Sequence, residues 1–367
     1  MKRERSHEQS REQSREQSGE QSGEQRRGRS IVVTGATGNV GTAVVRALAA
    51  DDQVSTILGL ARRTPRWEVP KTRWRSVDLD GTSVEHLTGL FRGADAVIHL
   101  AWLLQPARDP HVTWRTNALG TVAVLAAVAA ADVPAVVVAS SLAAYAPGPK
   151  RPPVREGWPT HGRPDVAYSR EKAYVERVLD AFEATHPERR VVRMRPGFTF
   201  QRTAAMEQLR LFAGPFLPHG LVRPELIPVV PDIEGLAFQV VHADDVAEAY
   251  RLAALDDDVR GAFNLAAEPV IDAGVLARLL GARAWKVPRQ AARAAARAAW
   301  AAHLAPVPPQ LLDALLDLPL LDTTRARDRL GWTPEHTADD TLTEFLEALR
   351  KGEGLRTPPL KPSALLS

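Results

Sequence analysis

Residues Ile31 to Ala50 read IVVTGATGNVGTAVVRALAA. Three β-branched apolar residues open the stretch, which suits a strand buried on both faces. A Gly-rich turn follows. Beyond it, apolar residues recur at the period of a helix that buries one side. Gly35, Gly38 and Gly41 stand between the two at G-x-x-G-x-x-G spacing. Residues without a Cβ let the chain turn tightly and let a ligand approach the backbone. The helix N-terminus beyond offers free N–H groups and the positive end of a dipole. Strand, glycine turn and helix in this order predict a cradle for a pyrophosphate.

Outward from this unit the alternation continues. TILGLARR, RWRSVDLD and ADAVIHLAW read as strands. The helix RTNALGTVAVLAAVAAA leads to the strand AVVVAS, and the helix around YSREKAYVERVLDAFEAT leads to RRVVRMRPG. Strands alternating with helices predict an α/β fold: a Rossmann-type doubly wound parallel sheet, here over residues 30–196. After Pro196 the rhythm loosens. A smaller, discontinuous C-terminal substrate-binding region is expected over 197–237 and 257–351, with 238–256 returning to the sheet. Residues 1–29 hold a four-residue Glu-Gln-Ser repeat without apolar side chains and are expected to be a disordered tail. Residues 352–367 are expected to fray.

Composition narrows the function. The 367 residues suffice for a sizeable core. Forty-seven basic and 44 acidic side chains leave a formal net charge of +3. That is no footprint for nucleic acid. Cysteine is absent, which excludes disulfides, a thiol nucleophile and Cys-ligated metal. The longest apolar run, Val122 to Ala139, is interrupted by Asp132 and Pro134 and reads as helix, turn and strand, so no membrane span is expected. No apolar segment follows the basic start, so a cytoplasmic location is expected.

Two further patterns carry chemistry. Ser140 and Ser141 end an apolar strand, and Tyr168 and Lys172 follow four residues apart in a predicted helix. That spacing puts both on one helix face. A phenol ionises near pH 10, and a neighbouring cation is expected to lower that value toward neutrality. Tyr168 would then exchange a proton with a substrate hydroxyl or carbonyl. The second pattern is GLARRTP at the end of the second strand, where an acidic residue would hold ribose hydroxyls. Ala61, Arg62 and Arg63 stand there instead. A guanidinium pairs bidentately with phosphate, which favours NADP, with NAD still open and solvated arginines the plain alternative.

In chain order stand TGATGNVG, VDLD, VIHLAW, TNALGT, VVASSLAAY, YSREK, MRPG and VVHADDVAEA. With this series, from Ser30 to Lys351, the chain resembles the extended short-chain dehydrogenase/reductases, or NAD-dependent epimerase/dehydratase family. The resemblance implies catalysis by Tyr168, Lys172 and Ser141, with Ser140 the near miss, and support from Asn117 through helix geometry and water. It also gives Lys172 the ribose hydroxyls. Implied cofactor contacts are Gly35, Gly38, Asn39, Val40, Gly41 and Arg62, then Asp78 and Leu79 on the adenine side. Leu100, Ala101 and Trp102 would line the cleft, and Pro196 to Phe198 would meet the carboxamide. Trp102 stands where the family often has a small residue, so its ring is expected to narrow the site. His242, Asp244 and Asp245 are expected to cap a helix, with no metal. A homodimer through the helices at 112–131 and 165–185 is implied by analogy.

The family's branches differ at positions legible here. Sugar-nucleotide dehydratases carry Asp-Glu after the strand-end hydroxyl; Leu142 and Ala143 cannot transfer a proton. Many epimerases have an Arg-Tyr-Phe-Asn-like segment where this chain reads RMRPGFTF. The RPG reading is closer to ketone reductases. Arg202, Arg210 and Arg223 are either a diphosphate clamp or surface charge. The expected function is NAD(P)-dependent hydroxyl/carbonyl interconversion on a small molecule. A redox-neutral nucleotide-sugar epimerase and a non-enzymatic dinucleotide sensor are the alternatives.

Overall fold

A computed structural model of the chain describes residues 28–104, 110–213, 228–302 and 309–362. Seven strands form the central sheet: β1 (Arg29–Thr34), β2 (Val54–Ala61), β3 (Thr72–Ser76), β4 (Ala96–His99), β5 (Ala135–Ala139), β6 (Arg190–Pro196) and β7 (Gly261–Leu265). Their order is β7-β6-β5-β4-β1-β2-β3, and every pair is parallel. The helices that matter to the site are α1 (Asn39–Ala50), α2 (Val84–Phe91), α3 (Gly120–Ala130), α4 (Ala167–Thr185), α5 (Ala243–Leu255) and α6 (Ala338–Lys351).

The valine-rich strands build two cores because successive side chains point to opposite faces. Ile31, Val33, Ile98 and Val137 meet Val44 of α1 and Val246 of α5. Val32, Val97, Val136 and Val138 meet Val124 of α3 and Leu179 of α4. His111–Ala130, which contains α3, is long and apolar enough to cross a membrane, but half of it is buried here and Val124, Leu125 and Val128 belong to the second core. Strand order reverses between β1 and β4. A doubly wound sheet opens its ligand crevice there, at the carboxyl ends of the strands.

Three boundaries differ from the sequence reading. The return to the sheet does not stop at residue 256. Gly261–Leu265 pairs with Val192–Pro196 as β7, and Leu330 and Trp332 join the first core. The five residues of β7 are too few to show a period, so pairing with β6 decides their place. Arg29 belongs to β1; of the repeat tail, residues 1–27 lie outside the described residues. Finally, residues 352–362 do not fray: Thr357 and Leu360 are fully buried. The smaller region contains short strand pairings, Phe198–Phe200 with Val240–His242 and Val229–Ile233 with Arg283–Val287.

Candidate active site

The glycine loop leaves β1 and enters α1. Gly35 has φ +68, and a Cβ there would come 2.6 Å from the Ala101 nitrogen. A Cβ on Gly41 would come 2.2 Å from the Gly35 oxygen. Gly35 lets the loop seat against the segment after β4, and Gly41 lets the loop close on itself against Gly35 and Ala36. Gly38 differs: its Cβ would meet nothing closer than 3.5 Å. Gly38 is the N-cap of α1, no side chain caps that helix, and no acid stands in its first turn. The positive helix end is therefore left to a ligand, and the open ground beside Gly38 fits the pyrophosphate of a dinucleotide. Val40 packs on the core, and Asn39 spends its amide on the Thr199 carbonyl at 3.0 Å. Neither side chain is free for a ligand, so both offer the backbone.

Other expected cofactor contacts spread along the same edge. Arg62 and Arg63 follow β2 and are exposed, with no side-chain partner among the described residues. Asp78 is exposed and accepts from the Asp80 amide at 3.1 Å, while Leu79 is buried against Gly120. Leu100 and Ala101 extend β4, and their amides donate to the Thr34 carbonyl and hydroxyl. Pro196 ends β6. Phe198 packs partly buried against the smaller region's core, its ring centroid 5.4 Å from that of Phe238.

At the end of β5 the two serines part. Ser141 accepts from the Ala143 amide at 3.1 Å, and its hydroxyl stands beside the Tyr168 phenol, near enough to pull that phenol's pKa down. Ser140 turns inward and donates to Glu176 at 2.5 Å. On α4, Tyr168, Lys172 and Glu176 stand one turn apart on one face. Lys172 Nζ donates to the Ala139 carbonyl at 2.5 Å and lies 3.4 Å from the centre of the Trp102 ring. That ring stands nearly perpendicular to the Tyr168 ring, with centroids 5.9 Å apart. Its Nε1–H is buried without a partner, a donor that the described residues leave unused.

The electrostatics correct one expectation. Lys172 does not pull the Tyr168 phenol toward neutrality. Burial raises the phenol, the Ser141 hydroxyl beside it opposes, and the Glu171 charge raises it further. The ammonium is turned to the Ala139 carbonyl and the indole face, and burial lowers Lys172 itself to about 7 against the charges of Glu176 and Glu171. Tyr168 is thus a protonated phenol at neutral pH.

Asn117 lies in a π-helical turn, Arg115–Leu119. It clamps the segment after β4 onto α4, accepting from the Leu103 amide at 2.7 Å and donating to Glu171 at 2.7 Å. Thr113 donates to the other Glu171 oxygen at 2.5 Å. Beneath the serines lies a cluster that sequence reading missed. Glu176, fully buried, accepts from Ser140, from Arg193 at 2.9 Å and from Arg195 at 2.8 Å through each of two nitrogens. The signal was present: Arg193 and Arg195 alternate along one strand face, and Glu176 is one turn beyond Lys172.

Two of the three arginines weighed as a diphosphate clamp are engaged by the chain itself. Arg202 is bound bidentately by Glu353 at 2.9 and 3.1 Å, with Glu344 and Glu347 nearby. Arg210 donates to the Pro359 and Lys361 carbonyls. Arg223 lies outside the described residues. His242 caps α5 by accepting from the Asp244 amide at 3.1 Å, and Asp245 accepts from the Glu335 and His336 amides.

Residues 31–266 match the model of the NAD dependent epimerase/dehydratase family. The chain belongs to that family. An uncharacterized protein of Mycobacterium tuberculosis is 28% identical over 327 residues, which cover 89% of this chain and 30% of the relative. The chain thus spans under a third of that relative's length. The L-arabinose 1-dehydrogenase (NAD(P)(+)) of Haloferax volcanii is 38% identical over 111 residues, 30% of this chain and 40% of that one. Among solved structures, UDP-glucose 4-epimerase of Thermus thermophilus in complex with NAD aligns with TM-score 0.64 and 21% identity, covering 88% of this chain and 99% of that one. At such identity the likeness is one of fold. The seven-stranded parallel sheet is the family's frame.

Proposed function

We propose that this family member is an NAD(P)-dependent oxidoreductase that interconverts a hydroxyl and a carbonyl on a small molecule. The observation that carries this reading is the grouping of Ser141 at the end of β5 with Tyr168 and Lys172, one turn apart on α4, the Lys172 Nζ 5.8 Å from the centre of the Tyr168 ring. When bound, the dinucleotide supplies or accepts the hydride. The chain's own residues do the rest. The backbone of Gly35 to Gly41 holds the pyrophosphate. Ser141 orients the substrate oxygen, and Tyr168 gives that oxygen a proton as the alcohol forms, or takes it in reverse. Lys172 holds ribose hydroxyls with the donors that Ala139 leaves free.

Arg62 and Arg63, unpartnered at the end of β2, favour the 2′-phosphate of NADP. Leu142 and Ala143 occupy the turn after Ser141, where loss of water would need an acid and a base. The second reading is a redox-neutral nucleotide-sugar epimerase, as the structurally similar Thermus thermophilus protein is a UDP-glucose 4-epimerase. The engagement of Arg202 and Arg210 counts against a diphosphate clamp and favours the reductase. Tyr168→Phe tests the mechanism. Turnover of carbonyl substrates with NADPH or NADH should fall about 100-fold or more, with dinucleotide affinity held within about twofold. Undiminished turnover would refute the role. Nucleotide released on denaturation separates the two readings: stoichiometric NAD supports the epimerase, an empty protein or NADP(H) the reductase.

A further inference from the structure

The C-terminal segment Gly352–Pro362 returns to the glycine loop. Helix α6 stops at Gly352, in the left-handed region at φ 63. The chain then folds into a tight strap. The Leu355 amide donates to the Leu360 carbonyl at 2.7 Å. A Cβ on Gly354 would come 2.3 Å from the Leu360 oxygen, so this crossing requires glycine. Arg202 grips the Glu353 carboxylate, and Arg210 grips the Pro359 and Lys361 carbonyls. Two arginines that resembled ligand clamps hold the strap instead.

From the strap, Thr357 reaches the glycine loop itself. Its side chain is fully buried, and its hydroxyl donates to the Thr37 carbonyl at 3.1 Å, across 320 residues of sequence. Thr37 lies between Gly35 and Gly38. Its carbonyl and the Gly38 N–H belong to one rigid peptide plane. The Gly38 N–H donates to the Gly35 oxygen at 3.1 Å. The plane is therefore held at both ends, once by the loop and once by the strap. Immediately beyond it come Asn39 and Val40, whose N–H groups open α1.

We propose that Thr357 is a positioning residue for dinucleotide binding: its hydroxyl fixes the Thr37–Gly38 peptide so that the first N–H groups of α1 face the pyrophosphate before it arrives. This rests on the loop being a dinucleotide cradle. A loop ordered in advance loses less freedom on binding, so its affinity depends on what orders it. Thr357 touches neither substrate nor reacting atoms.

The test uses the full chain with Thr357→Val and Thr357→Ser, titrated with NADPH and NADH by protein fluorescence. Thr357→Val should weaken the tighter dinucleotide roughly 5- to 20-fold, the scale of one hydrogen bond. Thr357→Ser should restore binding to within about twofold, since serine keeps the hydroxyl. KM for the carbonyl substrate should stay unchanged, which a general loss of structure would not allow. Valine binding as tightly as wild type overturns the proposal. Should the valine variant not fold, hydrogen exchange on the wild type decides. By reciprocity, dinucleotide must protect the amides of residues 352–362. No added protection refutes the coupling. A wild type that binds neither dinucleotide refutes instead the cradle on which the proposal rests.

Discussion

Replacing Glu176 by Gln probes the foundation under the two serines. Glu176 is 0% exposed, and both carboxylate oxygens are taken by Ser140, Arg193 and Arg195. Burial alone would raise its pKa. The Arg195 hydrogen bonds and charge, then the Ser140 hydroxyl and the Arg193 charge, outweigh that and hold it at about 2. Against an ordinary value of 4.5, the depression is worth roughly 3 kcal/mol of folding free energy. The folded value lies below the unfolded one. The contribution is therefore full above about pH 4.5 and is lost as pH falls toward 2. Glutamine keeps the shape and removes the charge. Arg193 keeps Asp180 and Glu183, but Arg195 keeps only neutral acceptors, the Tyr145 hydroxyl, the Glu156 carbonyl and the one glutamine oxygen. A buried cation without its carboxylate costs about 3–5 kcal/mol. Urea unfolding at pH 7 should place Glu176→Gln lower by about 3 kcal/mol, with the gap narrowing below about pH 4.5. A gap under about 1 kcal/mol at pH 7, or one that does not change with acid, would show that the cluster is not the anchor its geometry describes.

Lys172 bears the opposite sign. Burial lowers it to about 7, while the unfolded side chain stays protonated to its ordinary value of 10.5. Its penalty is full below about pH 7 and fades as pH rises toward 10.5. Lys172→Met should therefore melt higher than wild type at pH 7 while losing turnover, and an unchanged or lower melting point would refute the burial argument. Replacing both Arg62 and Arg63 by Ala should weaken NADPH about tenfold and leave NADH within about twofold; equal losses for both dinucleotides would remove the 2′-phosphate from the argument.

The local chemistry of this protein was legible in order. The run Ile31–Ala50 determined strand, loop and helix, because periods of 2 and 3.6 residues and missing Cβ atoms act within a few residues. Tyr168 and Lys172 were placed on one face for the same reason. Tertiary structure decided what each group then met. Neighbouring residues at a strand end point opposite ways, so only the packed sheet shows that Ser141 faces the phenol while Ser140 faces Glu176. Only packing turns Lys172 to Ala139 and Trp102, and only packing buries the Tyr168 phenol and so raises its pKa. Thr357 carries no period that points to Thr37. That contact exists because α6 stops at Gly352 and two arginines fold the chain back across the molecule, a placement made by distance in space and not by distance along the chain.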